Sequence, residues 1–123
     1  MTPKEKFINE MKARTKAFAV DSIKFCDTLK KCKASDVITY QFVKSATSTG
    51  ANYRAACKGR SKKEFYSKMC IVAEEADESQ YWLEIIKECE LSSQIVELEN
   101  LLKESDELSR IMTSAKTTAA RSF

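Results

Sequence analysis

The side chains able to do chemistry in this chain are carboxylates, amines, guanidinium groups and thiols, because histidine is absent. That absence removes the commonest general base and the commonest metal ligand together. Glu74, Glu75, Asp77 and Glu78 form the densest acidic group, and carboxylates at this helical spacing could hold a divalent cation. A di-iron bundle is excluded, since its Glu-x-x-His pairs need histidine. A magnesium-dependent nucleotide hydrolase using Glu75 and Glu78 with Glu104 or Glu107 is the one enzymatic reading. An acidic helix face that is solvated or ion-paired is the plainer one. Cys26, Cys32, Cys57, Cys70 and Cys89 are odd in number and contain no CxxC pair. They read as small core or interface hydrophobes, and neither disulfides nor a metal site nor any cofactor is expected.

Cations offer a different chemistry. Arg54, Lys58, Arg60, Lys62 and Lys63 form the densest basic cluster, with Tyr53 and Tyr66 beside it. Lys12, Arg14 and Lys16 could join the same surface. Such a group can neutralise phosphates and stack a base. The competing reading is a solvated turn whose arginines pair with acidic residues of a neighbouring subunit. Residues 1–63 carry fifteen Lys/Arg against five Asp/Glu, and residues 64–123 carry six against thirteen. This split fits a basic surface facing an anionic partner, and equally a pairing of the two halves within or between subunits.

These residues must be positioned by helices. The 123 residues include only two Gly and one Pro, with 43% apolar and 32% charged residues. Turn formers are too scarce for a sandwich or barrel, and the apolar runs are too short to span a membrane. The N-terminal MTPKEKFINEMKARTK is charged throughout, so no secretory signal is expected and a cytoplasmic location is. Thr2, Pro3 and Glu5 give a strong helix start, followed by a stripe of Phe7, Met11, Phe18, Phe25 and Leu29. Ser35 is expected to cap the second helix, with Ile38, Phe42, Ser45 or Ala46, Thr49 and Ala56 inward. Gly59 is expected to end it in the left-handed conformation, and Ser61 with Glu64 to form the next capping box. The third helix turns Phe65, Met69, Val72, Ala76, Ser79, Leu83 and Ile86 inward. Its second stripe, Tyr66, Cys70, Ala73, Trp82, Ile85 and Cys89, points to a subunit interface. The fourth carries Ile95, Leu98, Leu102, Ser105, Met112 and Ala115, flanked by Leu101, Leu108 and Ile111. Helices over about residues 3–31, 36–58, 62–90 and 93–118 pack most simply as one all-α, antiparallel, up-down-up-down four-helix bundle over residues 1–123.

Ser45 to Ala51 reads SATSTGA, seven small residues inside the second helix. Gly50 alone lowers helix propensity by about 1 kcal/mol relative to Ala, so either another helix approaches closely there or the backbone bends. Trp82 and Tyr81 read as packing anchors, and Glu75 and Asn52 as buried polar contacts that fix helix register.

The run SATSTGANYRAACKGRSKKEFYSKMCIVAEEADESQYWLEII, Ser45 to Ile86, resembles the hallmark segment of the 23S rRNA intervening-sequence proteins, and RTKAFAVDSIKF resembles that family's first helix. Members often close the first helix with proline, where this chain has Leu29, Lys30 and Lys31. The resemblance implies a small four-helix bundle assembled as a ring-like homopentamer; from the residues themselves, Gly50, Asn52, Tyr53, Phe65 and Trp82 are expected at packing or oligomer contacts. More distantly similar bundles are accessory proteins to the reverse transcriptases of diversity-generating retroelements, where a basic surface engages nucleic acid and enzyme. The function expected is therefore a non-catalytic oligomeric module binding RNA, DNA or a reverse-transcriptase-like enzyme through Arg54, Lys58, Arg60, Lys62, Lys63, Lys12, Arg14 and Lys16. A pure self-assembling scaffold is the alternative.

Overall fold

Helix starts and stops written in the sequence set the order of the elements. A computed structural model of the chain describes residues 1–122 and shows four helices: α1 (Pro3–Cys26), α2 (Lys33–Ala56), α3 (Lys62–Glu88) and α4 (Ile95–Ala120). Each packs on the next and α4 returns to α1, with no close backbone approach across either diagonal among the described residues. The result is an antiparallel, square four-helix bundle whose α1/α4 edge is its loosest.

The caps explain both the agreement and the differences. At α1, the Glu5 N–H donates to Thr2 Oγ1 at 3.1 Å and the Thr2 N–H to Glu5 Oε2 at 3.3 Å, the reciprocal pair that the sequence signals. α1 stops at Cys26, five residues short of the expected end. Thr28 donates its hydroxyl back to the Phe25 carbonyl at 2.6 Å, and Leu29 leaves the helix to bury itself beside Leu91 and Ser92, where the Lys30 N–H reaches the Leu91 carbonyl at 2.9 Å. Ser35 is not the cap of α2. Cys32 is, and Ser35, three residues on, accepts from the Cys32 N–H at 3.1 Å and donates to its carbonyl at 2.9 Å.

Gly59 is not left-handed either; no glycine has a positive φ among the described residues. Its lack of a side chain serves tightness, because a Cβ there would lie 3.1 Å from the Ala56 carbonyl and 3.3 Å from the Phe65 nitrogen. The left-handed helix end is found instead after α3, at Glu90 with φ 53°. There the Glu90 N–H bonds the Lys87 carbonyl and the Leu91 N–H bonds the Ile86 carbonyl, the two-bond closure that seats Leu91 in the core. Ser61 Oγ accepts from the Glu64 N–H at 3.0 Å, while the Glu64 carboxylate turns to the Arg60 N–H at 3.3 Å rather than to Ser61.

The core divides into two apolar clusters. One contains Phe18, Phe25, Phe42, Leu83, Ile86, Leu98 and Leu108, and the other Met11, Tyr53, Met69, Val72 and Met112. Among the apolar side chains the helices also turn inward short hydroxyl side chains, Thr15, Ser22, Ser45, Thr49, Ser79 and Ser105, all essentially sealed from solvent. All but Ser22 bond a carbonyl one turn back in their own helix, and Ser45 and Ser79 meet at 3.0 Å across α2 and α3. In α4 the inward residues are Leu98, Leu101, Ser105, Leu108 and Met112, so Leu101 and Leu108 belong to the core and Ile95 is exposed.

Small residues let α1 and α2 come close. A Cβ on Gly50 would lie 3.2 Å from Thr15 Oγ1 and 3.3 Å from the Thr15 carbonyl oxygen, so SATSTGA is a close-packing seam within the chain. The second stripe of α3 is also largely covered within the chain: Ala73 is buried, Tyr66, Cys70, Trp82 and Ile85 are half-buried, and only Cys89 is exposed. The apolar side chains left in solvent lie elsewhere, notably Val37, Tyr40, Tyr81, Ile95 and Val96.

Candidate nucleic-acid interface

Antiparallel packing gathers the start of α1, the α2–α3 turn and the end of α4 at one end of the bundle. Arg54, Lys58, Arg60, Lys62 and Lys63 are all exposed there, and no ion pair engages them among the described residues. Lys4, Lys116 and Arg121 share this end, as residues beside them, Phe7, Ala115 and Ser122, line one groove with Arg60 and Lys62. Sequence reading missed these three because they lie far along the chain from the turn. The signal that finds them is topology, since an up-down-up-down order puts both chain ends beside the second turn.

Two contacts orient α1. Thr15 against Gly50 marks its flank toward α2, and Arg14 bound to Glu104 marks its flank toward α4. At about 100° per residue, Lys12 and Lys16 fall on the α2 flank, and Arg54 on the α1-facing flank of α2. Lys12 and Lys16 thus continue the cationic surface up the outside of the α1/α2 pair.

Arg14 does not join them. Its Nε and Nη2 donate to the two Glu104 oxygens at 2.8 and 2.7 Å, and Nη2 lies 3.4 Å from Glu107. The hydrogen bond to Glu104 holds the guanidinium above its ordinary range, with both carboxylates adding attraction. A two-point pair of this kind fastens α1 to α4 and leaves little of Arg14 to offer a phosphate.

The same pairing disassembles the hydrolase reading. Glu104 and Glu107 face α1, whereas Glu75 and Glu78 are directed toward α2, where Lys44 lies near Glu75 and the Trp82 indole donates to Glu78 Oε2 at 3.2 Å. Burial, then Glu78, raises the Glu75 carboxyl above the usual range, with Lys44 opposing. Among the described residues no group of three or more thiols and carboxylates is placed to hold a metal ion.

Of the packing residues, Tyr53 is 3% exposed, so it cannot stack a base; burial, then Cys57, pushes its hydroxyl up. Asn52 bonds the Ser48 carbonyl at 2.9 Å within its own helix and ties no second helix. Phe65 and Trp82 are half-buried, each against one of the core clusters, and the exposed Tyr81 ring meets Trp82 edge-on at 5.1 Å. Cys26 is a core thiol pushed up to about 11 by burial. Cys32 is exposed, and its hydrogen bond with the Ser35 side chain lowers it.

These features define an antiparallel four-helix bundle with a bare cationic end, and no helix among the described residues is long and apolar enough to cross a membrane. The chain belongs to the family of 23S rRNA-intervening sequence proteins, whose model matches residues 9–114. It is similar to a protein of unknown function from the S23 ribosomal protein family of Bacteroides thetaiotaomicron, at 29% identity and a TM-score of 0.79. The similarity covers 89% of this chain and 97% of that one. No curated protein matches the chain. The basic turn lies inside the family match, while Lys4, Lys116 and Arg121 lie outside it.

Proposed function

We propose that this protein is a non-catalytic module that engages nucleic acid through the cationic end of its bundle, and that it does so as a homo-oligomer. The observation that carries the reading is the set Arg54, Lys58, Arg60, Lys62 and Lys63, concentrated about one turn and engaged by no ion pair among the described residues. Exposed cations without carboxylate partners are free to neutralise phosphates, which releases the counterions condensed on the polyanion. Arg14 shows the contrast, since the carboxylates that would compete for it lie on α4 and bind it.

Assembly draws support from the cross-section. The basic helices α1 and α2 are neighbours, and the acidic α3 and α4 are neighbours, so opposite sides of the square carry opposite charge. Such a subunit can meet its copy head to tail, basic side on acidic side, in the kind of contact that closes into a ring. Exposed Val37, Tyr40, Tyr81, Ile95 and Val96 supply apolar surface for it. A ring would set several cationic ends side by side and strengthen weak phosphate contacts through avidity.

The test is binding to RNA and single-stranded DNA across a salt series. With four cations engaged, log K should fall with log salt at a slope of about −3. Changing Arg54, Lys58, Arg60 and Lys62 together to Glu should abolish binding, whereas Arg14→Met should leave it intact. Undetectable affinity at low salt, or affinity indifferent to the fourfold change, would leave the self-assembling scaffold as the reading.

A further inference from the structure

α1 and α4 approach each other least of the four adjacent pairs, and below the Arg14–Glu104 clasp they part. The opening is a groove of about 990 Å3 between the first turns of α1, the last turns of α4 and the α2–α3 turn. This volume is at the upper end for ligand pockets, which span about 300–1,000 Å3. Its walls are mostly apolar, with Phe7, Ile8, Phe65, Ile111 and Ala115 among them. Phe7 is 44% exposed although it belongs to the inward stripe of α1, because it lines this groove where α1 and α4 part. At the rim stand Lys4, Arg60 and Lys62, which no ion pair engages among the described residues; Arg110, also at the rim, is held by Asp106 at 3.0 Å.

We infer that this groove receives unpaired bases of a single-stranded nucleic acid, the ring of Phe7 stacking on a base while Lys4, Arg60 and Lys62 hold the flanking phosphates. The inference rests on the nucleic-acid reading above and narrows it to single strands. A duplex could satisfy the cationic rim, but its bases are already stacked on one another and would leave Phe7 in water. A single strand presents an aromatic face and a phosphate within one nucleotide, which matches an apolar wall and a cationic rim in the same groove. Sequence preference should be slight, because every base has a stacking face and the walls offer few groups that read base edges. An acidic amphipathic helix of another protein, or a second copy of this chain, would also fit apolar walls with a cationic rim.

The experiment compares a short labelled oligouridylate with an RNA duplex of equal phosphate number, binding each to the full chain at one fixed low salt concentration. The single strand should bind more tightly. Phe7→Ala should weaken it about tenfold without changing duplex binding, and Phe7→Trp should restore it. Phe7 is half-exposed in an end turn, so its replacement should leave the thermal midpoint and solution mass unchanged. Equal affinity for both nucleic acids, with Phe7→Ala affecting neither while the fourfold Glu variant abolishes both, would overturn the groove assignment and leave the basic-end reading standing. Binding that survives the fourfold variant would remove the parent reading itself. A change of solution mass in Phe7→Ala would overturn the assignment in favour of a contact between copies, and displacement of nothing but an acidic helical peptide would do so in favour of a protein partner.

Discussion

Gly50→Ala sets two effects of known sign against each other, and the structure decides which wins. Helix propensity alone would stabilise α2 by about 1 kcal/mol. Against it, the new Cβ would meet Thr15 Oγ1 at 3.2 Å, the Thr15 carbonyl oxygen at 3.3 Å and its carbon at 3.4 Å. Two of these atoms are backbone, and the third is fixed by its 2.8 Å bond to the Met11 carbonyl. None can swing aside, so α1 must retreat as a body by a few tenths of an ångström. The edge-on contact of Phe18 with Phe42 and the Arg14–Glu104 clasp resist that movement. Overpacking of this kind costs about 1–3 kcal/mol, which leaves a net loss of about 1 kcal/mol. At about 2.1 cal/mol/K per residue, over 123 residues, the melting temperature should fall by about 4 °C. Thermal and urea unfolding followed by circular dichroism read the change, and Gly50→Val should at least double it. A Gly50→Ala protein more stable by the full propensity gain would refute the close approach of α1, and would mean that the small-residue seam is open to something outside the subunit.

Two further outcomes follow from the buried polar groups. Ser22→Ala removes a sealed hydroxyl that bonds nothing in the structure, a group whose desolvation costs about 1–3 kcal/mol, so the urea midpoint should rise by the equivalent of about 1 kcal/mol at unchanged slope; a fall would show that this hydroxyl has a partner. Glu75 has a folded-state pKa raised by burial first and by Glu78 next, so the folded chain holds its proton more tightly than the unfolded chain does. The stability this contributes is complete at low pH and is lost as pH rises through the folded value. Glu75→Gln should therefore stabilise the bundle at pH 7, and the gain should vanish below about pH 4. A gain independent of pH would place its cause outside the titration.

Much of the fold was legible because helix periodicity and end signals are local. Thr2 with Glu5, and the 3–4 spacing from Met69 to Ile86, specify their elements from neighbouring residues alone. The misplaced ends have nonlocal causes. Leu29 continues the helical stripe of α1 but leaves the helix because Leu91, sixty-two residues on, completes the same end of the core. Glu90 adopts a left-handed conformation that its side chain gives no sign of, because the two carbonyl bonds and the burial of Leu91 outweigh the strain. Thr15 looks polar in sequence and proves to be core, since a hydroxyl that bonds its own helix can be buried where helices must approach closely, and Ser22 is sealed in the same helix face without such a bond. The basic turn was legible as a run of residues. Its companions at the same end, and the removal of Arg14 from it, required the partnership of α1 with α4.

That partnership also bears on what each charge can do. Every ion pair found links side chains along the sides of the bundle: Arg14 to Glu104 and Glu107, Lys87 to Glu99, and Arg110 to Asp106. Among the described residues none engages the cations of the α2–α3 turn, because the acidic residues of α3 and α4 are concentrated along the middle and opposite end of their lengths, and Glu64 there is occupied with the backbone of Arg60. Side charges can therefore be neutralised within the chain or, on the proposed reading, against a copy of it. The end charges have no such partner on α3 or α4, so subunits that associate side by side would satisfy the sides and leave the ends. The division of labour follows from where the chain puts its carboxylates, and salt offers a way to separate the two roles. Binding at the bare ends should weaken at salt concentrations where apolar contacts through Val37, Tyr40, Ile95 and Val96 still hold the copies together.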